Sequence, residues 1–248
     1  ACICGLLFIE NTLTITQVIK SRWFYGALML GFLFIAVFNI MALTAQKNGL
    51  SIASVASKMS VIIPVVFGIC IYNESIDAQK IIGIILALIA VFLITIKPKL
   101  HTSLKKTIYL PILLFLGSGV IDTSVNFFAP DDNISLFSAT IFGIAGIIGL
   151  PILISKALVS KNYFKLKSMP FGVVLGVVNY ASIYFLLKAL RVDNLETSTI
   201  FTINNVAIVA VSTLIGLALF KEKISTKNWA GIVIAIISII LVTLNNGN

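Results

Sequence analysis

The charges of this chain divide it into segments. Of its 18 Lys and Arg and nine Asp and Glu residues, all but Lys58 and Asp122 fall in short clusters, separated by long stretches with almost no charge. Arg22 to Lys47 encloses 24 residues, Lys47 to Glu74 encloses 26 broken only by Lys58, and Lys106 to Asp131 encloses 24 broken only by Asp122. The runs between Asp132 and Lys156, Lys167 and Lys188, and Glu196 and Lys221 hold 23, 20 and 24 residues. Another 21 residues follow Lys227, and Lys80 to Lys97 encloses 16. A helix needs about 20 apolar residues to cross a hydrocarbon core of roughly 30 Å. Eight spans are therefore expected, near residues 23–45, 50–72, 79–97, 107–129, 134–158, 168–190, 196–220 and 226–245. The short third span is expected to reach both surfaces by the snorkelling of Lys80 and Lys97. The runs are continuous rather than alternating, which excludes a strand barrel. The fold class expected is all-α, a polytopic membrane helix bundle.

Composition agrees. Hydrophobic residues make up 59% and charged residues 11% of the chain, where soluble domains carry about 25% charged residues. A soluble globule of 248 residues could not hide that much apolar surface, and a disordered chain would lack it. The net charge of +9 would suit a nucleic-acid binder, but its placement fits a topology signal instead. The connections at 46–49, 97–106, 156–167 and 221–227 carry 12 Lys, and the opposite side carries Lys20, Arg22, Lys80, Lys188 and Arg191. Positive charge gathers on the cytoplasmic side of a membrane, so the first face is expected inside and the C-terminus outside. The expected location is the cytoplasmic (inner) membrane, multi-pass. The apolar stub before Glu10 lacks the basic flank of a signal peptide and reads as the back half of a spanning helix. Cys2, Cys4 and Cys70 suggest no disulfide or metal framework.

The chain repeats itself. Glu74–Lys97 aligns with Glu222–Asn245 at a constant offset of 148, with eight of 24 positions identical, among them Glu74/Glu222, Gly83/Gly231, Ala87/Ala235 and Thr95/Thr243. With a one-residue gap, Ala42 matches Ala189, Ser51 matches Ser198 and Lys58 matches Asn205. Five spans separate the copies, and an odd number makes them enter the membrane in opposite directions. Inverted repeats are a common architecture of secondary transporters, with the substrate site at the midplane between them. The residues that carry the repeat are "AL" ending one span, the small-residue span "SIASVASKMSVIIPVV", a Glu, a short polar linker and a Gly-centred last span. This pattern resembles the EamA-type repeat of the drug/metabolite transporter superfamily. The resemblance implies ten helices in two inverted five-helix repeats. Residues 1–98 would be the first repeat, lacking its first helix and part of the second, and 105–248 the second. It also implies both termini in the cytoplasm, where the charge count puts the C-terminus outside.

A charge at the centre of a span costs about 2.5–3.5 kcal/mol on insertion scales, so such residues normally face an internal cavity. Ser51, Ser54 and Lys58 are spaced to share a helix face, and Ser198, Thr202 and Asn205 repeat the pattern beside Asn204. Ser118, Asp122 and Asn126 form a third polar stripe. Lys58 and Asn205 are expected to line opposite walls of a central cavity, with Lys58 drawing an anionic group such as a carboxylate. Asp122 is expected to bind a cationic group or carry a coupling proton or cation. A direct Lys58–Asp122 pair is disfavoured, because their depths differ by roughly 12 Å at 1.5 Å per residue. Asn39, Asn179, Tyr180 and Tyr184 are further candidates for hydrogen bonds in the cavity, and interhelical bonding serves each equally. Glu74 and Glu222, where spans end, read as solvated helix termini, with a bond between repeats as the alternative. Gly172–Gly176 and the stripe Gly143, Gly146 and Gly149 predict close helix packing, and Pro64 and Pro151 predict kinks.

Other functions have less behind them. Metalloprotease chemistry needs a ligand set such as HExxH, and His101 is the single histidine. An aspartyl pair needs two carboxylates sharing a site, and the spans offer Asp122. No filter-like loop of a channel is visible. The expectation is a secondary active transporter of small metabolites or drugs, neither an enzyme nor a metal or cofactor protein. Its partners would be the lipid bilayer, a small-molecule substrate and a coupling proton or cation. A membrane scaffold or channel is the alternative, and an intramembrane enzyme stands behind both.

Overall fold

Each uncharged run is helical in the computed structural model, which describes residues 1–7, 15–74, 77–95, 108–159, 169–192, 195–220 and 225–244. Two short helices, α1 (Cys2–Leu7) and α2 (Ile15–Lys20), precede α3 (Trp23–Asn48), α4 (Leu50–Met59) and α5 (Ile62–Ile71). These are followed by α6 (Ala78–Thr95), α7 (Tyr109–Phe128), α8 (Ile134–Val159), α9 (Met169–Ala189), α10 (Thr197–Phe220) and α11 (Thr226–Leu244). Among the described residues seven helices are long and apolar enough to cross a membrane, with α4 and α5 together making one of them. The third run is the shorter helix Ala78–Ile94. Left-handed residues punctuate the elements. Gly49, at φ 96°, joins α3 to α4, and Asn73 and Asn133 take positive φ after α5 and before α8, a conformation that Gly and Asn adopt at least cost.

The chain falls into two units, each drawing on both halves of the sequence: residues 1–36 with 124–191, and 37–123 with 192–248. In the first, Leu30, Phe137, Ile141 and Leu187 are fully buried. Trp23 meets Phe137 edge-on at 5.8 Å. Arg191 ends this unit by reaching the last turn of α7, where it donates to the Asn126 side chain (3.2 Å) and to the Ala129 carbonyl (2.6 Å). Its Nε lies 2.9 Å from the exposed Asp131 carboxylate, without the alignment of a hydrogen bond. The expected close approach at Gly172 is not found: a Cβ there would meet open space, as it would at Gly146. Gly176 lies against the Ala1 backbone nitrogen instead.

The second unit is built on α6 and α11. Gln79 in the first turn of α6 donates to the Leu241 carbonyl (3.0 Å), and Asn228 in the first turn of α11 donates to the Ile94 carbonyl (2.6 Å). The helices are therefore antiparallel. Their glycines permit the approach, since a Cβ at Gly83 would lie 2.5 Å from Val242 and one at Gly231 would lie 2.7 Å from Ile94. Gly83 and Gly231 differ by 148 in number, as do Ile94 and Val242. The two contacts thus exchange under the sequence repeat. Ala87, Ala90, Val91 and Ala235 form the buried seam, which continues onto Val206 and Val209 of α10 with Met59 packed against it. Large apolar side chains elsewhere face outward, among them Leu158 at 82% and Phe171 at 78% exposure, as a lipid-facing surface requires.

Candidate functional site

A break in the second run positions the site. The helix stops at Met59 and resumes at Ile62, two residues ahead of Pro64. Proline has no N–H for the carbonyl four residues back, and its ring collides with that carbonyl; here that carbonyl belongs to Ser60. The chain responds with tighter turns, in which Val61 N–H donates to the Lys58 carbonyl (3.4 Å) and Ile63 N–H to the Ser60 carbonyl (2.9 Å). The Ser60 hydroxyl donates to the Ser57 carbonyl (2.6 Å). Lys58 stands in the last turn of α4, where the partial negative charge of a helix C-terminus favours an ammonium group. Pro151, by contrast, sits inside α8 without interrupting it.

Asp122 on α7 faces the same region. Lys58 and Asp122 each act electrostatically on the other, without a direct ion pair. Protein surrounds both groups, and both residues are half-buried. The two helices touch one turn before Asp122, where the Ser118 hydroxyl donates to that of Ser57, the residue before Lys58 (3.4 Å). Ser54 and Asn204 are half-buried.

The remaining candidates are placed differently. Thr202 and Asn205 are buried, but each side chain donates to its own helix, Thr202 to the Ser198 carbonyl (2.7 Å) and Asn205 to the Phe201 carbonyl (3.1 Å). Asn39 is exposed. Asn126 serves Arg191 rather than Asp122. Tyr180 lies in the first unit, stacked on Tyr184 at 5.8 Å, and its buried hydroxyl approaches Ser135 without forming a well-aligned hydrogen bond. Asn179 is half-buried on the same helix. Glu222, His101, the Ser51 side chain and most lysines of the basic connections lie outside the described residues.

Sequence reasoning missed a buried charge cluster in the second unit. Glu74 is not a solvated helix end: its side chain is 6% exposed, and it accepts from the Ser198 N–H (3.1 Å) and hydroxyl in the first turn of α10. Lys80 does not snorkel. It is 1% exposed, lies 3.4 Å from Glu74 and bonds Glu196. Two carboxylates give the ammonium its counter-charges inside the protein, so it has no need of the surface. The one signal available in the sequence was acidic residues at 74 and 196 flanking spans that the sequence repeat aligns with each other.

These features define a multi-pass helical membrane protein, with charged groups held inside its apolar spans. Its sequence is similar to that of an uncharacterized protein of Haemophilus influenzae, 29% identical over 214 residues that cover 86% of this chain and 72% of that protein. No family profile matches the chain.

Proposed function

We propose that the protein is a secondary transporter of small metabolites or drugs in the cytoplasmic membrane, working by alternating access of two inverted EamA-type repeats. The observation that carries this reading is the helix broken beside Lys58, with Asp122 facing it inside the span. Broken helices beside intramembrane charges are a recurrent way to bind ions and substrates at the bilayer midplane. The antiparallel pairing of α6 with α11, with contacts that exchange under the repeat offset, supports the inverted arrangement. In this reading Lys58 draws the anionic group of a substrate, and Asp122 takes a cationic group or a coupling proton. Ser54, Ser57, Ser118 and Asn204 offer neutral hydrogen bonds around them. No ATP-binding motif is present in the sequence, so an ion or substrate gradient supplies the energy.

The test is flux in proteoliposomes loaded with a panel of charged and neutral metabolites, with and without a proton or sodium gradient. Saturable, gradient-dependent uptake or release is expected for at least one compound. Lys58→Met and Asp122→Asn are each expected to cut it at least tenfold, the effect of about 1.4 kcal/mol or more of lost interaction. Unchanged flux in both variants would remove the site assignment, and non-saturable flux would favour a channel.

A further inference from the structure

Lys58 and Asp122 are one ammonium and one carboxylate within the same unit of the chain, acting on each other without a direct pair. Their helices fix the spacing. Ser57 and Ser118 meet through their hydroxyls, and Asp122 stands one turn beyond that contact, about 6 Å along α7 at 1.5 Å per residue. The four-carbon stem of a lysine covers such a distance. The break at Pro64 adds oxygen atoms. In a regular helix the Ile63 N–H would donate to the Met59 carbonyl; here it donates to that of Ser60 (2.9 Å), so the Met59 carbonyl loses its usual donor. The Val61 N–H likewise turns from the Ser57 carbonyl to that of Lys58, and the Ser60 hydroxyl takes its place on Ser57.

Loosened carbonyls at the C-terminal end of a half-helix are where broken-helix transporters hold a coupling cation, because the helix dipole gathers negative charge there. In this chain that end already carries a cation of its own, Lys58 in the last turn of α4. Charge balance decides what else such a place accepts. Lys58 and Asp122 sum to zero, and a metal ion added to them would leave a net positive charge inside the span, where it is costly. Without the ammonium the sum is one negative charge set among oxygen donors: the Asp122 carboxylate, the Ser57 and Ser118 hydroxyls and the Met59 carbonyl. Those are the ligands that a sodium ion takes.

We propose that the Lys58 ammonium is a tethered substitute for a coupling sodium ion, covering a monovalent-cation site that Asp122 and the broken end of α4 would otherwise form. The protein then works without sodium. When the anionic group of a substrate draws Lys58 away, Asp122 takes a proton from the aqueous side in place of a metal ion. The covered site stands on the geometry of α4 and α7, and its consequence for coupling rests on the transporter reading. The test therefore measures binding without measuring transport. It is thermal unfolding in detergent at pH 8, with sodium chloride exchanged for choline chloride at constant ionic strength. Lys58→Ala opens the site, and Lys58→Gln opens it with a smaller loss of volume should the alanine variant fail to fold.

Sodium at about ten times its dissociation constant is expected to raise the unfolding midpoint of either variant by about 3 °C or more, and to do so saturably. No such rise is expected in the native protein, in Lys58→Arg, or in Lys58→Ala combined with Asp122→Asn. Variants that sodium leaves unchanged would overturn the proposal. So would a native protein that sodium stabilises as much as the variants, or a rise that survives the loss of the Asp122 carboxylate. Sodium binding by the Lys58 variants of a protein without saturable flux would uphold the tethered cation and remove the transporter reading. Saturable flux in the native protein, beside variants that ignore sodium, would do the reverse.

Discussion

Arg191 shows how one side chain can close a helix end at a membrane surface. The last carbonyls of a helix have no partner within it, and the Ala129 carbonyl beyond α7 takes a guanidinium N–H at 2.6 Å. A second N–H of the same planar group reaches the Asn126 side chain. Lysine would serve both acceptors less well, because its donors sit at one point on a flexible stem rather than on a planar fork. Arg191→Ala is expected to destabilise the protein by about 2 kcal/mol, the usual size of hydrogen bonds to charged groups. Arg191→Lys should recover less than half of that. Thermal unfolding in detergent measures both, and equal stability of the lysine variant and the native protein would contradict the two-bond account.

At the scale of elements, Pro64 matters more than the residues around it. Its effect is felt at Ser60 and Val61, so α4 ends just past Lys58 and presents it on a helix terminus. Pro64→Ala is expected to fuse α4 and α5 into one helix, seen as slower amide exchange across residues 59–63. Flux should fall at least tenfold while thermal stability holds or rises. A fused helix with undiminished flux would show that the break has no part in transport.

The same run shows what was legible in sequence. The eight apolar runs were readable because a membrane leaves its backbone no option but helix, so run length alone fixes the elements to within a few residues. The kink at Pro64 was readable from local sterics. The partners of Glu74 and Lys80 were not, because they lie 124 and 116 positions away along the chain, a pairing that no local pattern specifies. Thr202 and Asn205 show a second limit of local pattern. Their spacing marks a face, but a hydroxyl or amide can bond back to its own helix, and here both do.

At the scale of the whole molecule, packing bears on which way the protein faces. The Asn228 side chain bonds the Ile94 carbonyl, so the end of α6 and the start of α11 lie at one membrane surface. By sequence, the connection after α6 carries Lys97, Lys99, Lys105 and Lys106 and the one before α11 carries Lys221, Lys223 and Lys227, so both sets are expected on one side. Their charges add rather than cancel. These connections are short, the condition under which Lys and Arg bias orientation. Resemblance to the EamA-type repeat would instead put the C-terminus in the cytoplasm. Twelve lysines against five basic residues on the other side favour the charge count, because reversing the protein would require the larger set to be translocated. Alkaline phosphatase fused after Asn248 is thus expected to be active, and green fluorescent protein at the same place dark. Fusions within residues 160–168 should behave oppositely. A fluorescent C-terminal fusion with inactive phosphatase would mean that the protein inserts against its own charge bias.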